Sequence, residues 1–121
     1  MPNPIDPTTF GFTAAQAQLL REQIEKVLLP GQAIDVWIFG SRARGTHRRY
    51  SDVDIVISTK AGAAFTHRQK LDLQDAIEDS DFPYKVEWVL EPDIYPPYRP
   101  GIQADRKMLF PSLANPQPIP T

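Results

Sequence analysis

The sequence predicts a small α/β fold, an α+β arrangement in which a mixed β-sheet carries helices packed on one face. Three observations predict it. Two stretches open on a capping box, Thr13 with Gln16 and Thr66 with Gln69, and continue with apolar residues at helical spacing. Short runs rich in β-branched and aromatic residues, Ala33 to Phe39, Val53 to Ser58 and Tyr84 to Leu90, alternate with them. At 121 residues the chain has room for one core and not for two.

The elements follow in order. Pro2, Pro4 and Pro7 make residues 1–12 an irregular flank. Ala14 to Leu28 forms the first helix, with Ala17, Leu20, Ile24, Val27 and Leu28 as its apolar stripe and Pro30-Gly31 as its stop. Ala33 to Phe39 reads as a buried strand, broken by Gly40-Ser41, and Ser41 is expected to cap a short helix ending near Gly45. Along the second strand Asp52, Asp54 and Val56 share one face while Val53, Ile55 and Ile57 share the other.

A helix from His67 to Glu78 turns Leu73, Ala76 and Ile77 inward and stops at Asp81-Phe82-Pro83. In the third strand Tyr84, Val86, Trp88 and Leu90 oppose Lys85, Glu87 and Val89. Trp37 and Trp88, set among aliphatic residues, are expected in the core. A last helical piece is expected over Ile102 to Leu109. Pro111, Pro116, Pro118 and Pro120 make residues 111–121 a tail outside any helix or inner strand, so the folded domain is expected over 13–110.

Composition narrows the function. Formal net charge is -2, from 13 basic and 15 acidic residues, which argues against a protein that coats nucleic acid. Four of those basic residues, Arg42, Arg44, Arg48 and Arg49, nevertheless crowd into one short segment, which suits a small polyanion. The absence of cysteine excludes disulfides and thiolate metal sites and makes a reducing cytoplasm the expected location. The first residues lack the basic and apolar regions of a secretory signal, and no apolar run approaches a membrane span.

The chemistry lies where a glycine turn and paired acids meet. A strand ending in Gly40 admits close backbone approach to a ligand, and a helix beginning there would aim free N–H groups at an anion. Ser41 adds a hydroxyl, and Arg42 and Arg44 add charge. Asp52 and Asp54, on one face of a strand start, repel unless a cation lies between them. Magnesium takes one or two carboxylates together with substrate phosphates, which fits this set. Glu87, the acid within the third strand, is the candidate third carboxylate of a two-metal site for displacement at phosphorus. Glu91 and Asp93 fall beyond that strand in a proline-rich turn and are weaker candidates. His47 and His67 lack metal-ligand spacing, and there is neither a Ser/His/Asp nucleophile set nor a Gly-Lys-Ser/Thr phosphate loop.

Gly40-Ser41-Arg42-Ala43-Arg44-Gly45 followed by Ser51-Asp52-Val53-Asp54-Ile55 resembles the Gly-Ser…Asp-x-Asp signature of the DNA polymerase β-like nucleotidyltransferases. The arginine-glycine continuation and the small size resemble the minimal nucleotidyltransferases, or MNT proteins, of that superfamily. The resemblance covers roughly residues 13–110 and implies a palm-like fold. It implies that Asp52, Asp54 and Glu87 are catalytic metal ligands for two Mg²⁺ ions. Gly40 and Ser41 would hold the β,γ-phosphates of ATP, with Arg42 and Arg44 nearby. It further implies a helical HEPN-domain partner, in pairs that behave as toxin and antitoxin, the MNT member transferring AMP to a tyrosine of the toxin.

One position departs from the family. The third acid is usually Asp there and is Glu87 here, and a displacement of roughly 1 Å can cost on the order of 10²-fold in rate. A second expectation is therefore a weakly catalytic, nucleotide-binding module that neutralises a HEPN protein by complex formation. An antibiotic-modifying enzyme is disfavoured, since the additional helical domain of those proteins has no room here. Self-association is compatible with the sequence, and a membrane partner is not expected.

Overall fold

A computed structural model describes residues 7–115. Its elements are α1 (Ala14–Val27), β1 (Ala33–Phe39), α2 (Gly40–Arg44), β2 (Val53–Ala61), α3 (His67–Glu78), β3 (Val86–Leu90), α4 (Arg99–Asp105) and β4 (Lys107–Ala114). Short 3-10 turns occupy Pro7–Phe10, Glu91–Asp93 and Pro96–Tyr98. No described helix is long and apolar enough to cross a membrane.

Both capping boxes form. The Thr13 hydroxyl oxygen accepts from the Gln16 amide at 3.1 Å, and the Thr66 oxygen accepts from the Gln69 amide at 3.0 Å. The Gln side chains return the bond to the capping residues' own N–H groups, so orphan donors are satisfied at each helix start. Gln69 does more than cap. Its amide nitrogen donates to the Val27 carbonyl at 2.8 Å and to the buried Gln32 side chain at 2.8 Å, joining the end of α1 to the start of α3.

The strands form one mixed sheet in the order β3-β2-β1-β4. β1 is antiparallel to β2 and to β4, while β2 and β3 are parallel and joined through α3. Ile34, Val36 and Ile38 of β1, Val53, Ile55 and Ile57 of β2, and Trp88 and Leu90 of β3 turn to the helix side. There they form the core with Leu20, Ile24, Leu73 and Ile77. The opposite face carries Asp35, Trp37, Phe39, Asp54, Val56, Glu87 and Val89. The segment from Glu91 to Arg106 folds over part of this face, with Arg106 over Trp37, and Val56 is fully buried although it points away from α1 and α3.

Several expectations change. Residues 7–12, expected as a flank outside the domain, pack into it: Phe10 and Phe12 are core residues. β2 runs on to Ala61, and β3 starts at Val86, not Tyr84. Ala76 is half-buried, at the margin of the inward stripe. The helix expected over Ile102–Leu109 divides into α4, ending at Asp105, and the edge strand β4. Residues 111–114 therefore belong to the sheet. Pro111 is tolerated because β4 lies at an edge, where a missing N–H leaves no inner ladder broken. Trp37 faces away from the helix-side core and lies under the Arg106 guanidinium, 4.3 Å from the ring centroid, whereas Trp88 is buried as expected. The prolines expected to shape residues 1–6 and 116–121 lie outside the described residues.

Candidate active site

The site begins with the β2–β3 ladder. Parallel pairing sets Asp54 opposite Glu87, so the two carboxylates project from neighbouring strands onto the same face. β1 adds the third wall through the pairing of Phe39 with Asp54. Gly40 follows Phe39 with φ of +75°, and a Cβ there would collide with the Asp54 carboxylate. Sequence reasoning gave this glycine to a ligand; the structure gives its missing side chain to Asp54. The Gly-Ser turn and the Asp-x-Asp strand are thus one packed unit.

Asp54 and Glu87 line a pocket of about 290 Å³ together with Phe39, Val89, Asp93 and Ile94. Tyr95, Tyr98 and Ile102 complete it. The Asp54 carboxyl is held above the usual carboxylate range, first by burial, then by the negative charges of Glu87 and Asp52, with Arg44 opposing. Asp52 precedes β2 and is exposed. It is close enough to act on Asp54 electrostatically but does not line the pocket. Among the described residues no group of three or more carboxylate or histidine side chains converges as a metal-binding set. The expected three-acid cluster is therefore present as two facing acids with a third beside them. These are all hard oxygen donors with accumulated negative charge, and that chemistry fits Mg²⁺.

The arginines separate. Arg42, expected at phosphate, is 2 % exposed and fully engaged. It donates to the Phe10 carbonyl at 2.8 Å and, through Nε and Nη2, to the Ser51 carbonyl at 3.2 and 2.8 Å. Its guanidinium lies 5.3 Å from the Phe12 ring centroid and 4.2 Å from that of Tyr84. Such a group is a strut, not an anion contact. Arg44 remains at the site: half-exposed, it pairs with Asp105 at 3.1 Å and acts on Asp54. Ser41 sits within α2 and caps nothing, because Phe39 holds the cap position without a side-chain bond. Gly45 does end α2, in the left-handed conformation at φ of 77°.

Glu91, set aside on sequence grounds, is a clamp. It accepts from Arg106 at 2.8 Å and Arg99 at 3.5 Å, and Arg99 also donates to its carbonyl at 3.1 Å. These bonds tie the two ends of the segment 91–106 together, and the segment meets the sheet where the Ser58 hydroxyl donates to Glu91 at 3.4 Å and where Arg106 lies over Trp37. Sequence reasoning also missed Tyr95 and Tyr98. The signal available was an aromatic-proline run, Ile94-Tyr95-Pro96-Pro97-Tyr98, directly after a strand bearing a candidate acid.

The family model for the nucleotidyltransferase domain matches residues 20–109. The chain belongs to the nucleotidyltransferase domain family. A curated relative, the probable protein adenylyltransferase MntA of Haemophilus influenzae, is 38% identical over 52 residues, or 43% of this chain. That match spans 44% of the relative, less than half its length.

Solved structures share the nucleotidyltransferase fold at low identity. A toxin–antitoxin structure with AMP-PNP superposes with a TM-score of 0.56 at 21% identity, covering 76% of this chain and 73% of the other. A mutant toxin–antitoxin structure, MntA-HpeT, gives 0.55 at 20% identity, covering 78% and 69%. A Shewanella oneidensis structure gives 0.53 at 17%, covering 83% and 74%. These neighbours agree with the palm-like sheet that the sequence leads one to expect.

Proposed function

We propose that this nucleotidyltransferase domain is an Mg²⁺-dependent adenylyltransferase of MNT type, moving AMP from ATP to a hydroxyl of a partner protein. The observation that carries the reading is the pairing of Asp54 with Glu87 across β2 and β3, with Gly40 closed against Asp54. Asp52, Asp54 and Glu87 would hold the metal, whose chemistry is to neutralise the triphosphate and stabilise charge at the transferring phosphorus. Gly40 and Ser41 would receive the β,γ-phosphates, and Arg44, released from Asp105, would add positive charge.

In the transfer, the acceptor oxygen bonds to the α-phosphorus and the bond to the bridging oxygen breaks. Pyrophosphate leaves, and the hydroxyl proton passes to a carboxylate of the pocket. Asp54, Glu87 and Asp93 are the carboxylates that line the pocket, and the first two face each other across β2 and β3. A tyrosine of a helical HEPN toxin is the acceptor this reading favours, supported by the toxin–antitoxin identity of the structural neighbours and the adenylyltransferase relative. Labelled ATP, Mg²⁺ and the protein encoded beside this one should yield a labelled partner. Asp54→Asn should abolish labelling, and equal labelling by both would sink the proposal.

One observation favours a second reading. Asp52 stands outside the pocket and no three-acid set converges among the described residues, which suits a module that binds nucleotide and neutralises its partner by contact. Full neutralisation by Asp54→Asn without ATP would select it.

A further inference from the structure

We propose that Tyr95 and Tyr98 form the platform on which the nucleobase of the bound nucleoside triphosphate stacks. The inference rests on the nucleotide reading above and adds the subsite that reading leaves unassigned. The pocket has two chemically different walls. Asp54 and Glu87 supply one, suited to metal and phosphate; Ile94, Tyr95, Tyr98 and Ile102 supply the other, apolar and aromatic apart from two phenol hydroxyls. Yet the two rings stay 60% and 66% exposed, although burying either would stabilise the fold.

The rings are fixed in place despite that exposure. Their centroids lie 5.1 Å apart at an interplanar angle of 73°, so each ring buttresses the other. Pro96 and Pro97 stiffen the intervening 3-10 turn, and the Tyr98 amide donates to the Tyr95 carbonyl at 2.9 Å. Buried Ile94 anchors the segment on one side, and the Glu91 bonds to Arg99 and Arg106 anchor it on the other. A rigid, exposed aromatic surface continuous with a phosphate-accepting floor suits a flat heteroaromatic ring attached to a triphosphate. The greater ring area of a purine makes it the better fit.

Calorimetry on the full chain tests this with Mg·ATP and with Mg·tripolyphosphate, which has no base. Tyr95→Ala and Tyr98→Ala should each weaken ATP by roughly 5- to 150-fold. Both should leave tripolyphosphate affinity unchanged. Tyr95→Phe and Tyr98→Phe should restore ATP affinity, because stacking needs the ring and not the hydroxyl.

Unchanged ATP affinity in both alanine variants would overturn the proposal, as would equal loss of both ligands. Failure of phenylalanine to restore binding, or AMP found attached to either tyrosine by mass spectrometry, would give the hydroxyl the role instead. A parent protein that binds tripolyphosphate but gains nothing from the adenosine of ATP removes the base platform alone. One that binds neither ligand removes the nucleotide reading with it.

Discussion

Arg42 shows how far a residue's role depends on what surrounds it. Read in sequence, it follows a Gly-Ser turn and belongs at a phosphate. In the fold it spends its donors on the Phe10 and Ser51 carbonyls and its faces on Phe12 and Tyr84. Nothing local announces this, because the four partners come from three separate segments, of which those holding Phe10 and Phe12 and holding Tyr84 lie far along the chain from Arg42. Lysine cannot reproduce a planar fork held between two rings. Arg42→Lys should lower unfolding free energy by about 2 kcal/mol, read from the midpoint of urea denaturation at unchanged slope. Since the Ser51 carbonyl directly precedes Asp52, the same variant should disturb the site. Asp54 makes the opposite point, for its place at a strand start beside the Gly-Ser turn was legible in the Asp-x-Asp pattern. Its raised pKa means that the folded state binds the proton more tightly than the unfolded chain does. Its contribution to stability is therefore present below the ordinary aspartate pKa and is lost as pH rises through the folded value. Without metal, Asp54→Asn should raise the melting temperature at neutral pH, and that gain should vanish at acid pH.

At the scale of elements, legibility followed locality. Capping boxes are written within four residues, and the helices that begin at Ala14 and His67 were readable from them. Strands β1 and β2 were readable because β-branched residues run together between breakers. β4 was not. Met108, Leu109 and Phe110 make a short apolar run beside Ile102, a spacing that a helix explains as well as a strand. What decides is β1, whose free edge pairs with residues far along the chain. Glu91 was missed for a similar reason: its partners, Arg99 and Arg106, meet it only after α4 has formed. Glu91→Ala should leave the sheet intact while freeing the wall. Amide hydrogen exchange should accelerate about tenfold in α4 with little change in β1 and β2.

For the whole molecule, the sheet closes at β4, so the C-terminal third is structural as well as site-forming. Leu109, Phe110 and Leu113 are buried against the core. Each such side chain is worth about 1.5–3 kcal/mol, and together they approach the total stability of a small domain. A chain ending at Arg106 should fail to fold, seen as loss of near-ultraviolet dichroism, whereas one ending at Asn115 should keep it.

The clamp at Glu91 has a wider consequence. The Asp54 and Glu87 carboxylates are set by the pairing of β2 with the edge strand β3, but the surface facing them belongs to a strap cross-tied by a few ion pairs of its own. Mutation could redraft the strap, and so the lining of the pocket, while the pairing of Asp54 with Glu87 stays as it is.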